Sequence, residues 1–163
     1  MLPRFLSLLI VLFTALCLAL PAQAEPRNGQ AVPSFETRLL DGKTLPAQAL
    51  KNKVVLVAFW ATWCPICQKE LPMLASLYKR YRGKGFEIVA LSVDVDVFTV
   101  EEFWKDHEYP FPAAMRTPAH VDIFGPTKAL PVLYLIDRKG VVRFSHIGAL
   151  EEDPLEAQLL PLL

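Results

Sequence analysis

The sequence predicts an α/β domain in which a mixed β-sheet carries helices on both faces. Three observations carry that prediction. Residues 54–59 and 86–92 are apolar runs with the length and composition of strands buried on both faces of a sheet. Between them, residues 66–81 repeat apolar side chains at helical spacing, and a strand–helix–strand unit favours parallel pairing. Further on, residues 132–136 and 141–144 flank the turn Asp137-Arg138-Lys139-Gly140, a hairpin that must be antiparallel. Parallel and antiparallel pairs in one chain make the sheet mixed, and helices on either side of it bury its faces.

The chain begins with a different kind of segment. Residues 1–20 are almost wholly apolar, with Arg4 as their only charge, and residues 5–20 fall short of the roughly 20 residues that span a bilayer. Pro21 ends the run and Ala22-Gln23-Ala24 supplies a small-x-small cleavage site. A basic start, an apolar centre and such an end predict a secretory signal peptide over 1–24, the alternative being an uncleaved membrane anchor. Cys17 lies inside the run, but Leu16 before it does not suit a lipid-modified cysteine. Cleavage removes Cys17 and one basic residue, leaving the acids one ahead of the bases. That balance offers no basic surplus for nucleic acid.

Residues 25–33 are polar with proline and glycine, a flexible lead, and 34–163 form one domain without repeats or low-complexity stretches. Residues 35–40 and 43–45 around Asp41-Gly42 predict an N-terminal hairpin. In the helix over 66–81, Cys67, Leu71, Leu74, Leu77, Tyr78 and Tyr81 mark one apolar face, and Pro72 inside it predicts a kink. Thr99 with Glu102 has the spacing of a capping box and Phe98 with Phe103 that of a hydrophobic staple, which predicts a helix over 100–108 with Phe98, Phe103 and Trp104 on its packing face. Three prolines confine 109–118 to loop or short edge strand. Asp153 as cap, Pro154 at the first helical position and Glu156 in the first turn open a last short helix, limited by Pro161.

The chemistry sits between the first long strand and the helix after it, in Trp63-Cys64-Pro65-Ile66-Cys67. At a helix N-terminus, unpaired N–H groups and the helix dipole stabilise an anion. A thiol there drops from about 8.5 into the range where thiolate exists at neutral pH. Cys64 is placed to attack. Cys67, one turn on and facing the apolar side, is placed to resolve, and two intervening residues let the sulfurs close a disulfide. Pro65 has no N–H to leave unpaired at the helix start. The plainer reading is a static disulfide of an exported protein. A zinc site wants about four ligands, and no second Cys-x-x-Cys exists. A copper-delivery module using both cysteines with His146 is the other rival, and His107 and His120 stand at no ligand spacing.

The string Phe59-Trp60-Ala61-Thr62-Trp63-Cys64, the pair Lys69-Glu70, and residues 130–137 (Leu-Pro-Val-Leu-Tyr-Leu-Ile-Asp) resemble the thioredoxin superfamily, in its exported TlpA/ResA-type thiol–disulfide oxidoreductase branch. The resemblance covers roughly residues 32–148. It implies a thioredoxin-like fold with an extra helix and strand over 92–115, the match being loosest at Phe111, Pro112 and Met115. It further implies reduction of disulfides in exported proteins such as apocytochrome c, a periplasmic location, no dissociable cofactor, no metal, and a membrane thiol–disulfide exchanger as electron donor. The reverse, thiol oxidation, is the alternative direction. By the same resemblance Pro131 is the cis-proline beside the cysteines, leaving the Leu130 backbone to pair with substrate. Trp63, Pro65 and Ile66 join Leu130 and Pro131 in the docking surface. Pro72 is the proline that kinks the active-site helix, and Glu70 is the acid that tunes the thiols. One departure stands out. Ordinary thioredoxins carry a buried aspartate six residues before the first cysteine, and here that place is Ala58.

Overall fold

Alternation along the central strand divides the molecule into two cores. In the computed structural model, which describes residues 25–163, strand β3 (Val54–Trp60) is buried along its whole length. Val54, Leu56, Ala58 and Trp60 face one core, and Val55, Val57 and Phe59 face the other. The predicted signal peptide lies outside the described residues.

The elements run β1 (Thr37–Arg38), β2 (Thr44–Leu45), α1 (Ala47–Leu50), β3, α2 (Pro65–Tyr81), β4 (Phe86–Ser92), α3 (Val97–His107), β5 (Ala113–Met115), α4 (Pro118–Phe124), β6 (Val132–Ile136), β7 (Val142–Ile147) and α5 (Glu152–Leu159). The large sheet has the order β5-β4-β3-β6-β7. β3 pairs parallel with β4, and β4 with β5, while β6 and β7 add antiparallel partners. The first core takes side chains of α2, α3 and α5, among them Leu71, Leu74, Val100 and Leu155. The second takes Phe35 and Phe124, which meet edge to face at 5.6 Å. This is the mixed α/β, thioredoxin-like fold that the sequence predicts, with its N-terminal hairpin and its helix–strand insertion, α3 and β5.

β1 and β2 pair antiparallel around Gly42, whose φ of +81° suits glycine in the tight turn. α2 continues through Pro72. β5 is the edge strand that the prolines of 109–118 leave room for.

Four local expectations are corrected. The lead is not free. Gly29 N–H donates to Val142 O at 2.7 Å and Val32 N–H to Gly140 O at 2.8 Å, so this segment docks along the start of β7. α3 starts earlier than expected, because Asp96 rather than Thr99 caps it. The Asp96 carboxylate accepts from the N–H groups of Phe98 at 3.1 Å and Thr99 at 3.2 Å. Phe98 therefore lies in the first turn facing solvent, 76% exposed, with no part in a staple or packing face. α5 is capped at Glu151, two residues before Asp153, and passes after Leu159 into a 3₁₀ turn holding Pro161. α1 and α4 are additions to the expected elements. Thr117 and Pro118 do carry the cap-and-proline signature of α4, which Thr117 N–H closes onto His120 Nδ1 at 3.0 Å.

Candidate active site

β3 ends at Trp60, and a three-residue loop delivers Cys64 to the start of the next helix. Cys64 is the N-cap of α2, its Sγ accepting from Cys67 N–H at 3.2 Å, with Pro65 as the first helical residue. Cys64 and Cys67 are joined by a disulfide across a Cα–Cα distance of 5.3 Å. Cys64 is 5% and Cys67 1% exposed, so the N-cap residue is the more accessible of the two. Around it Trp63 is 66% exposed, and Pro65 and Ile66 are exposed as well. These three line an apolar rim beside the disulfide.

From the other side, the loop before β6 brings Pro131 to the pair. The Leu130–Pro131 peptide is cis. Pro131, Ala58, Glu70 and Leu133 surround a cavity of about 10 Å³ that reaches Cys67. Among the described residues no backbone hydrogen bond engages Leu130. The fold thus gathers all eight predicted site residues at the C-terminal end of β3.

Glu70 is buried, and its Oε1 accepts from the Leu150 N–H at 2.7 Å. Burial pushes its carboxyl above the ordinary glutamate range. The Leu150 N–H and His146 pull the other way, and Glu151 adds to the rise. A carboxyl whose folded value is raised stabilises the fold when protonated, at low pH, and that contribution is lost as pH rises through the folded value. Glu70→Gln keeps the Leu150 bond and cannot ionise. It is expected to match the wild type in Tm at acidic pH and exceed it increasingly as pH rises past the glutamate range. In the reduced protein it should also lower the thiol titration, read by thiolate absorbance in the ultraviolet, since an ionised Glu70 opposes a thiolate close by. A variant curve superposing on the wild type would leave Glu70 without electrical coupling to the pair.

His146 Nε2–H donates to Ala149 O at 2.9 Å. His107 stacks on Phe103 at 4.1 Å, and His120 is buried against Phe35 of the second core. Among the described residues no three His, Cys, Asp or Glu side chains are grouped to hold a metal ion.

One residue that bonds the loop before Cys64 goes unnoticed in the sequence. Asp94, just beyond β4, accepts from Thr62 N–H at 3.0 Å and from Thr62 Oγ1–H at 2.6 Å. Ser92 Oγ–H adds a third bond at 2.6 Å. The signal available was its position: a carboxylate at the C-terminal end of a parallel strand, where open α/β sheets place their sites.

The Redoxin family matches residues 27–159. Thiol-disulfide oxidoreductase ResA of Bacillus cereus is 36% identical over 131 residues, covering 80% of this chain and 76% of that protein. ResA of Oceanobacillus iheyensis is 32% identical over 162 residues, covering 94% of this chain and 84% of its own. Among solved structures, a thiol:disulfide interchange protein of the thioredoxin family from Chlorobium tepidum TLS superposes with a TM-score of 0.76 at 28% identity. That match covers 85% of this chain and 99% of the other.

Proposed function

The chain belongs to the Redoxin family as a ResA-type thiol–disulfide oxidoreductase, and on that premise we propose that it reduces disulfides of exported proteins in the periplasm, apocytochrome c among them. The observation that carries the reading is the Cys64–Cys67 disulfide at the N-terminus of α2, with the more accessible cysteine in the N-cap position. In the reduced protein the Cys64 thiolate, favoured by the helix N-terminus, attacks a substrate disulfide and expels one substrate thiolate. Cys67 then attacks Cys64 Sγ, expels the second substrate thiolate and leaves the disulfide seen here. Two electrons pass to the substrate, which takes up two protons. Both electrons come from the cysteine pair, and no dissociable cofactor enters.

The substrate docks as an extended segment on Trp63, Pro65, Ile66 and Pro131, its backbone pairing with the free groups of Leu130. Glu70, beside Cys67, tunes the pair in place of the aspartate that Ala58 replaces. Residues 1–24 direct export. Among the described residues no helix is long and apolar enough to cross a membrane. A reductant in an oxidising compartment is recharged by a membrane thiol–disulfide exchanger.

Direction is tested by the reduction potential, measured by equilibration with glutathione or dithiothreitol. A value of about −250 mV or below is expected; one near −120 mV reverses the assignment to a thiol oxidant.

A further inference from the structure

We propose that Asp94 is a positioning residue that holds the loop carrying Cys64, and that this hold makes the disulfide harder to reduce. The inference rests on the reading of Cys64 and Cys67 as the redox pair.

Cys64 hangs on residues 61–63, which belong to neither β3 nor α2, and this loop is tied at several points. Cys64 N–H donates to Ala61 O at 3.2 Å, closing a turn. Thr62 O accepts from Gln68 Nε2 at 2.5 Å, a side chain of α2 itself. The Thr62 N–H and hydroxyl both go to the Asp94 carboxylate. Asp94 is in turn set by the strand beneath it, accepting from Ser92 Oγ and donating its own N–H back to that oxygen at 3.0 Å. Ser92 is buried and lies opposite Trp60 in the β3–β4 register. Val93 N–H to Trp60 O, at 2.9 Å, completes the junction. The carboxylate therefore connects a fixed strand end to the one irregular stretch of chain before the attacking sulfur. Bonds to an ionised acceptor are the stronger kind.

The consequence differs between the two redox states. In the disulfide, the S–S bond restrains Cys64 whether or not Asp94 is present. In the dithiol, loop and first turn alone keep Cys64 Sγ near Cys67 Sγ, and the effective concentration of one thiol at the other depends on how firmly they do so. The balanced exchange is one protein disulfide plus two glutathione thiols giving one protein dithiol plus one glutathione disulfide. The glutathione sulfurs lose two electrons, and their two protons end on Cys64 and Cys67. Loosening the dithiol lowers its tendency to reclose, so this equilibrium moves toward the dithiol.

The test is the glutathione equilibrium constant of the wild type, Asp94→Ala, Asp94→Asn and Thr62→Val, each with its thermal melt. For Asp94→Ala the constant should favour the dithiol by about three- to tenfold over wild type, tenfold being about 30 mV for this two-electron couple. Asp94→Asn retains one oxygen for both the Thr62 N–H and the Ser92 hydroxyl but turns a donor toward the Thr62 hydroxyl, so it should recover part of the shift. Thr62→Val removes one of two bonds and should fall between. If Asp94→Ala does not fold, these two variants decide the matter. Melts that drop while every variant's constant stays within twofold of the wild type would overturn the proposal and leave Asp94 a purely structural residue. A wild type that fails to cycle with glutathione at all would sink the redox reading instead, so the two failures are told apart.

Discussion

Cys67→Ala should reduce protein disulfide turnover to the background of the small-molecule thiol in the assay, while leaving Cys64 able to capture substrate. The asymmetry of the pair is the reason. Cys64 Sγ occupies the N-cap, where it already accepts the Cys67 N–H, so the same donor is aimed at a thiolate in the reduced protein. Cys67 lies one turn in, sealed from solvent in the core that holds Leu71, Leu74 and Ala58. It is reached by Cys64 and by no bulky substrate. Without it, the mixed disulfide on Cys64 has no resolving thiol and persists. Mass spectrometry of Cys67→Ala incubated with a disulfide-containing peptide should show one adduct per chain, and Cys64→Ser should show none. An adduct on Cys67 in the Cys64→Ser variant would invert the assignment. Unchanged reductase activity in both variants, with a stability loss of about 2–5 kcal/mol, would make the disulfide a structural staple.

What was legible in the sequence was short-range, or carried by strong punctuation. β4 runs from Phe86 to Ser92 as expected, because a glycine precedes it and the apolar run is unbroken. β6 is likewise bounded by Pro131 and by Asp137. The cysteine pair, Pro65 and Glu70 lie within seven residues of one another, so a helix alone places them. Pro131 was legible only through resemblance, since nothing local says that it faces Cys67. The Thr62–Asp94 bonds were out of reach for a physical reason: they join residues 32 apart in sequence, through the β3–β4 register. The local cap signal at Thr99 misled. Thr99 carries the capping-box spacing, but the Asp96 carboxylate three residues earlier takes the N–H groups of Phe98 and Thr99, and Phe98 lies exposed in the first turn. The lead looked mobile from composition, yet edge strand β7 offers unpaired backbone groups that a polar segment can use as well as an apolar one.

Trp60→Ala should cost about 3–5 kcal/mol, a large part of the roughly 5–15 kcal/mol that holds a domain of this size together. Trp60 is the last residue of β3, fully buried, and its ring packs on Phe103 at 5.3 Å and Trp104 at 5.2 Å. Those two side chains belong to α3, so Trp60 is where the inserted helix joins the core of the sheet. Trp104 continues the contact to Tyr109 and Phe111, and Phe111 reaches Tyr78 on α2. Removing the indole leaves a cavity whose walls are aromatic rings fixed by other contacts and slow to collapse into it. Urea unfolding should show a midpoint lowered accordingly. Trp60→Phe distinguishes packing from polarity. The indole Nε1–H is buried with no acceptor, a state that carries a desolvation penalty of about 1–3 kcal/mol. Phenylalanine gives up part of the contact area but also that unpaired donor, so the two terms offset and the variant should stay within about 1 kcal/mol of wild type. A Trp60→Phe loss as large as that of Trp60→Ala would mean the indole donor is satisfied in solution. A small loss in both would mean α3 is held elsewhere, and the insertion would then be an appendage instead of a wall of the core behind Cys64.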